Sequence, residues 1–515
     1  MDSVELAVFS GRLNAICEEM GFTLQRTALS PNIKDRLDYS CAFFDVKGCI
    51  CSQAAHIPVH LGSMAYAMTQ VVNLFEWESG DVVVLNDPFL GGTHLPDITL
   101  ISPVFLDEHL IGFFANRAHH ANIGASSPGS MPLSSDPESE GVLISPMKLF
   151  SAGAAVASSV ALIQSINRFD SESSHIPGDF LAQLSANKVG CERLNEWLGS
   201  SPDAKLSFIE GLEALNNYGR RLTLQVLASL PEGRASYIDY MDGDGFGADD
   251  IPIVVTLELS DSGFKVDFTG THKSVTGNIN CPLSVCVASV YYVFVCLLPD
   301  YIPCCQGTFD CIEVVAPEGC LVNALPGVPV AAGNVETSMR VVDVLIGALT
   351  KLGVPLPAAS QGTMNNVAFG CAKEGLEWDY YETLGGGMGA GTLNDGISSV
   401  QCHMTNTLNT PIESLELHYP LCINEYSLRR SSGGNGVHRG GGGLRRSYEF
   451  LSDASVTILS ERRTYSPWGA EGGEDGASGN NLLNGSILPS KVSLEVKASD
   501  VIMIETPGGG GWGKK

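Results

Sequence analysis

Basic residues are scarce in this 515-residue chain: 30 Lys and Arg stand against 57 Asp and Glu, a formal net charge of −27. Nucleic acid is recognised by neutralising its phosphates, so this balance argues against that class of partner. Long apolar runs are missing too. The longest, Leu283 to Leu298, is short for a membrane span and carries Ser and Tyr, so it reads as a buried helix or strand. The N-terminus has Asp2 and Glu5 where a secretory leader would be basic. The expectation is a protein without membrane association. None of the fifteen cysteines belongs to a C-x-x-C pair. Seven fall between Cys281 and Cys320, several inside apolar stretches such as V-C-V-A-S-V-Y-Y-V-F-V-C, where Cys acts as a small hydrophobe. Reduced thiols in a cytoplasm fit this usage best.

Nucleotide and nucleophile signatures are equally lacking. There is no G-x-x-x-x-G-K-[ST], no G-x-G-x-x-G placed between a strand and a helix, and no G-x-S-x-G elbow. Glycine itself is plentiful, with 57 residues that cluster at 385–391, 433–443 and 508–513. These clusters read first as turns and close backbone approaches. Arg429, Arg430, Arg439, Arg445 and Arg446 surround the middle one, which leaves a phosphorylated ligand open there. A hydrophobic content of 44% points to a well-buried globular chain, and its length to two to four lobes.

Periodicity places the elements. Leu6, Phe9, Leu13, Ile16, Cys17 and Met20 recur at three- and four-residue steps, which predicts an amphipathic helix opening residues 3–29. Strands are predicted at Tyr39–Phe44, Cys49–Gln53 and Asp81–Leu85, with a helix over 61–76 between the last two. Ile98–Phe105 and Leu110–His119, joined by Leu106-Asp107-Glu108, predict an antiparallel hairpin. Residues 124–140 read as a surface loop, 180–230 as helical, 251–269 as strands, and Gly333–Leu349 as a helix entered through a polar turn. The fold class expected is α+β, large and multi-lobed, with several β-sheets, buried helices and a β-rich C-terminal lobe. Its division is 1–165, a metal-bearing lobe; 166–250, helical; 251–430, a central α+β lobe; and 431–515, β-rich and Gly-rich.

The stretch N-D-P-F-L-G-G-T-H-L-P-D, followed by the hairpin that ends in N-R-A-H-H, carries the chemistry. His94 and Asp97 precede the first strand of the hairpin and His119 ends the second, so the hairpin returns His119 to them. Two imidazoles and a carboxylate are the usual minimum for Zn, Mn or Fe with open positions. A metal so held acidifies water and polarises a carbonyl. Asp38, in R-L-D-Y-S-C, is a candidate fourth ligand or general base. His120 must face away from His119 on a strand, so it is either a supporting group or a core histidine. His56 and His60, in H-I-P-V-H-L-G-S-M, lean towards structural or substrate-facing roles.

Several segments together resemble the hydantoinase B family, which includes the C-terminal half of eukaryotic 5-oxoprolinase and a subunit of acetone-type carboxylases. They are Q-R-T-A-L-S-P-N-I-K-D-R-L-D-Y-S-C-A, H-I-P-V-H-L-G-S-M, N-D-P-F-L-G-G-T-H-L-P-D, R-A-H-H-A-N-I-G, T-G-N-I-N-C-P, G-N-V-E-T-S-M-R-V-V-D-V, Q-G-T-M-N-N, H-M-T-N-T-L-N-T-P-I-E and the terminal T-P-G-G-G-G-W-G. The resemblance implies ATP-dependent chemistry shared with a hydantoinase A-type subunit, which binds ATP and phosphorylates the substrate carbonyl. The B-type chain then completes hydrolysis of a small cyclic amide at a divalent transition metal, or carboxylation in the carboxylases. It maps the metal onto His94, Asp97 and His119, with Asp38 at a nearby acidic position. Carboxylase subunits of this type are longer, which favours the hydrolase, and N-T-L-N-T-P-I-E looks more like the stand-alone subunits. Residues 149–165 depart from the family pattern. A non-catalytic scaffold for the A-type subunit is the third reading.

Overall fold

Two strands buried along most of their length build the centre of the sheet that carries the candidate site. The computed structural model describes residues 1–54, 56–166, 176–199, 204–373 and 377–515. Its largest sheet has seven antiparallel strands. In spatial order they are Ile50–Gln53, Tyr39–Phe44, His109–His119, Asp97–Leu106, Val82–Leu85, Met147–Ser151 and Ala154–Ala155. The predicted hairpin sits at its centre, with Asp97 directly opposite His119 in the register.

Both faces of this sheet are buried, and the period of two assigns side chains to them. Phe43, Phe114 and Ala118 pack with the helices Ser3–Thr27 and Gly178–Leu198. Ala42, Phe44, Phe113 and Ala115 pack on the opposite face, against the helices Pro58–Val71 and Leu283–Cys296. The long N-terminal helix forms as its apolar spacing dictates, with Asp2 and Glu5 closing a reciprocal capping box at its start. The 61–76 helix starts earlier, at Pro58, because proline is favoured in a first helical turn, and it ends at Val71. Leu283–Leu298 resolves to a buried helix. The helical reading of 180–230 becomes two helices, Gly178–Leu198 and Ala204–Leu227; its residues 200–203 lie outside the described residues. Residues 149–165, which depart from the family pattern, form strand ends and the helix Ala157–Ile166.

Three further sheets complete the α+β architecture. One has four strands, Gly233–Gly243, Asp249–Ser260, Gly263–Asp267 and Ile312–Val315, the last pair parallel. Another joins Trp378–Glu382, Asn366–Cys371, Ala454–Leu459 and Lys491–Val496; the fourth has five strands, from Leu421–Arg429 to Val501–Glu505 and the Asn480–Leu488 hairpin. The largest apolar cluster runs in sequence from Ala42 to Leu459, so segments far apart in the chain share one core. Among the described residues no helix is long and apolar enough to cross a membrane. All fifteen cysteines are free thiols.

One loop reading is overturned and another is narrowed. Residues 124–140 are not a surface loop throughout: Ala125, Gly129, Ser130, Met131 and Glu140 are buried, with Met131 in the main core. Of the turns and close backbone approaches expected of the glycine clusters, the structure shows chiefly the close approaches. They run side by side in the interior, where Gln361 N donates to Gly387 O at 2.8 Å, Gly441 N to Met388 O at 2.9 Å, Gly509 N to Gly441 O at 2.9 Å and Gly434 N to Gly509 O at 2.9 Å. A Cβ at Gly389 would overlap the carbonyl of Ala358, and one at Gly509 the carbonyl of Met388. Glycine is required there because backbones touch, not because of a left-handed φ.

Candidate metal centre

The loop carrying His94 is pinned from three sides before any ligand chemistry begins. Asn86 donates to Leu95 O at 2.8 Å and Val142 O at 2.9 Å, and accepts from Ile144 N at 2.6 Å. Arg117, fully buried on the hairpin, donates to Gly91 O at 3.0 Å, Thr99 Oγ1 at 2.9 Å and Ser63 Oγ at 2.7 Å. Burial pushes its guanidinium down to about 10, still charged at neutral pH. One residue thus ties the loop, the hairpin and the helix Pro58–Val71 together. Asp38 O accepts from His119 N at 3.0 Å, anchoring the strand end to the Asp38 segment.

Three donor atoms meet inside this frame. His94 Nε2 lies 3.2 Å from Asp97 Oδ1 and 3.2 Å from His119 Nδ1, and His119 Nδ1 lies 3.3 Å from Asp97 Oδ1. All three residues are buried. His94 Nδ1 faces the carbonyl of Ala331 at 3.2 Å. A carbonyl only accepts, so Nδ1 carries the hydrogen and the Nε2 lone pair points into the cluster. Asp97 Oδ2 is occupied by Thr93 Oγ1 and by His60 Nε2, the latter at 3.2 Å. Among the described residues its Oδ1 is buried without a hydrogen-bond partner, although two imidazoles stand beside it. Donors bound about 2.1 Å from one cation lie roughly 3 Å apart, so this set fits a shared divalent metal.

The surroundings complete the site. Asn334 Nδ2 comes within 3.3 Å of His94 Nε2. The Tyr381 ring stacks on His119 with centroids 4.9 Å apart, and Arg36 covers the ring at 4.8 Å. Asp38 lines the same small cavity, with Arg36 3.8 Å from its carboxylate. The cavity is about 20 Å³, room for one water, and Thr383 and Met364 also border it. Electrostatics favour a charged carboxylate. Burial alone would raise the Asp97 carboxyl, but the His94 and His60 imidazoles hold it well below its ordinary value. Burial lowers His119 despite the nearby carboxylates, whereas Asp97 outweighs burial at His94 and raises it.

His120 does not join the cluster. Strand alternation turns it, with Asn116, to the opposite face, where its Nε2 meets Gln183 Oε1 at 2.9 Å and its ring packs on Phe180. His56 is likewise outside: its Nδ1 accepts from Cys41 N at 3.2 Å, and burial lowers it to about 4, so it is neutral. His60, which sequence weighed only as structural or substrate-facing, contacts Asp97 directly. Asn334 lies inside the G-N-V-E-T-S motif, where a signal existed. Arg36 opens the R-L-D-Y-S-C segment that carries Asp38, whereas Tyr381 belongs to no chemical pattern, and only folding reveals their stacking.

A family model described as Hydantoinase B/oxoprolinase matches residues 2–515. The chain belongs to the hydantoinase B/oxoprolinase family. A 5-oxoprolinase 1 of Arabidopsis thaliana is 38% identical over 99% of this chain and 42% of that protein. This chain therefore spans about two fifths of the eukaryotic 5-oxoprolinases it matches. A putative B-type subunit of a D-/L-hydantoinase from a Pseudomonas species is 31% identical over all of this chain and 90% of that one. The ATP-dependent caprolactamase from Pseudomonas jessenii superposes with a TM-score of 0.90, at 27% identity, over all of this chain and 91% of that chain. Acetone carboxylase shares the fold, with a TM-score of 0.85 at 18% identity over 99% of this chain and 76% of that chain.

Proposed function

We propose that this chain is the metal-bearing subunit of an ATP-dependent cyclic amide hydrolase, acting with a hydantoinase A-type ATP-binding subunit. The observation that carries the reading is the buried His94–Asp97–His119 triangle, whose Asp97 Oδ1 has no hydrogen-bond partner among the described residues. The supporting resemblances are to proteins named for opening lactam or hydantoin rings, one of them titled ATP-dependent and another named as one subunit of a hydantoinase. ATP belongs to the partner, in keeping with the missing phosphate-loop signature here.

His94, Asp97 and His119 would hold the cation, with Zn, Mn or Fe all compatible with this donor set. The chemistry it supplies when bound is Lewis acidity towards water and a carbonyl. The chain's own residues do the remaining work. Asp38, lining the cavity, takes a proton from water there as general base. Arg36, 3.8 Å from that carboxylate, orients it. Tyr381, clamped between Arg36 and His119, walls the cavity, and its small volume excludes bulk water. His120 acts at one remove, holding the end of the hairpin through Gln183. A partner-phosphorylated lactam presents a good leaving group, so positioning water against it is the main requirement left.

The test is reconstitution of the purified chain with its ATP-binding partner. Turnover of a panel of lactams, hydantoins and 5-oxoproline with ATP is measured, together with metal content. One equivalent of transition metal and ATP-dependent ring opening are expected, both lost in His94→Ala. Full metal content in that variant would discard the ligand assignment, and bicarbonate-dependent consumption of a ketone would replace the hydrolase by a carboxylase.

A further inference from the structure

The segment Gly333–Thr337 is a π-turn that leads into the helix Ser338–Lys351, and it touches both imidazoles of the triangle by different routes. The first is direct: Asn334 Nδ2 stands 3.3 Å from His94 Nε2. The second runs through Glu336. Its Oε1 accepts from Asn366 Nδ2 at 2.7 Å and from Met364 N at 3.1 Å. Asn366 Oδ1 in turn accepts from the Tyr381 hydroxyl at 2.7 Å. The Tyr381 ring lies nearly parallel to the His119 ring, at 9° and 4.9 Å. Sheet register explains why the relay closes. Tyr381 is paired with Ala368 across neighbouring strands, so Asn366, two residues back on that strand, shares its face.

We propose that Glu336 is a positioning residue for the candidate metal centre, setting the His119 ring through Asn366 and Tyr381. This rests on the reading of His119 as a ligand. A helix of regular pitch would not need the extra residue that a π-turn inserts, and such turns recur at functional sites. Glu336 is fully buried and its side chain contributes no group to the cavity, so its role runs through its neighbours. Asn366 is oriented by its own bonds. Its Nδ2 also donates to Leu459 O at 3.1 Å, so the amide is fixed with its oxygen towards the phenol. Losing Glu336 removes the acceptor that holds the amide on that side, and the phenol loses a fixed partner. The ring plane against His119 is then free to tilt. Burial pushes the Glu336 carboxyl up to about 8, so it is largely neutral at pH 7 and a glutamine can stand in for it.

The experiment uses the full chain labelled with ¹³C-histidine, in which the His119 ring signal is assigned by its absence from a His119→Gln variant. Four variants are compared: Glu336→Leu, Glu336→Gln, Tyr381→Phe and the Glu336→Leu/Tyr381→Phe double. The metal-free ring signal and the affinity for Zn²⁺ are measured on each. Glu336→Leu and Tyr381→Phe are expected to move the His119 signal and weaken Zn²⁺ binding at least about tenfold, the size of effect that outer support of a ligand usually carries. The double variant should be no worse than the poorer single one, because both act along one relay. Glu336→Gln should stay close to the unsubstituted protein. An unmoved His119 signal and unchanged Zn²⁺ affinity in Tyr381→Phe and Glu336→Leu would overturn the proposal, as would full additivity in the double variant. Should Glu336→Leu fail to fold, Tyr381→Phe and Glu336→Gln decide it. Failure of the unsubstituted protein to bind any metal would remove the metal reading, and the ring signal would then decide the positioning role by itself.

Discussion

His60 donates through Nε2 to Asp97 Oδ2 at 3.2 Å, and so leaves the other carboxylate oxygen facing His94 and His119. His60 Nδ1 in turn meets Ser40 Oγ at 3.0 Å. A carboxylate only accepts, so Nε2 carries the hydrogen that faces Asp97. Supports of this kind tune a ligand without touching the cation. His60→Leu should weaken metal affinity by about 10–100-fold, read by chelator competition, while the fold persists. Unchanged affinity would leave His60 as packing.

The scaffold reading and the hydrolase reading part at Asp97. Asp97→Asn keeps the shape but replaces a charged oxygen of the triangle. Complex formation with the proposed ATP-binding subunit should survive, and the proposed ATP-dependent ring opening should fall by at least about 10³-fold, the scale seen when a catalytic constellation is broken. Unaltered turnover would mean that this chain only positions its partner.

His120 separates support from ligation. Removing it strands Gln183 Oε1 in the interior, a loss of about 1–3 kcal/mol. His120→Leu should therefore lower the melting temperature while metal content stays at that of the unsubstituted protein. Loss of metal with an intact fold would place it closer to the chemistry than the geometry does.

Asp379 predicts a pH dependence. Burial raises its carboxyl from 3.8 to about 7. Between those values the folded protein keeps a proton that the unfolded chain has released, so its contribution to stability falls as pH rises through that window and is flat above it. Asp379→Asn removes the dependence. Relative to the unsubstituted protein, this variant should gain stability steadily from about pH 4 to pH 7 in thermal melts. A constant difference across that range would show that the carboxyl titrates normally.

The glycine clusters predict unusual intolerance. A methyl at Gly389 meets the carbonyl of Ala358 with no flexible side chain to yield. Gly389→Ala should destabilise the protein by more than about 3 kcal/mol, beyond the usual range for a single substitution, or abolish folding outright. A near-neutral melt would mean that the glycine layers can slide apart.

Local sequence by itself determined the elements around the site. Apolar spacing sets the N-terminal helix, and two runs joined by the Leu106-Asp107-Glu108 turn set the hairpin that carries His119 back to Asp97, because both signals are properties of neighbouring residues. Alternation also put His119 and His120 on opposite faces without any tertiary information. The N-D-P-F-L-G-G-T-H-L-P-D segment and the N-R-A-H-H end of the hairpin offered the side chains that could bind a cation. What the sequence left open depended on contacts between distant segments. Nothing local distinguishes a turn glycine from Gly509, whose need for a bare backbone arises only where Met388 and Gly389 run beside it. Burial of the 124–140 segment came from the core that folds around Met131. His60 reached Asp97, Tyr381 reached His119 and Glu336 reached Asn366 only once strands and helices far apart in the chain had docked. Periodicity records which way a side chain faces; which group it meets there is decided by packing, and the surroundings of the triangle are of that second kind.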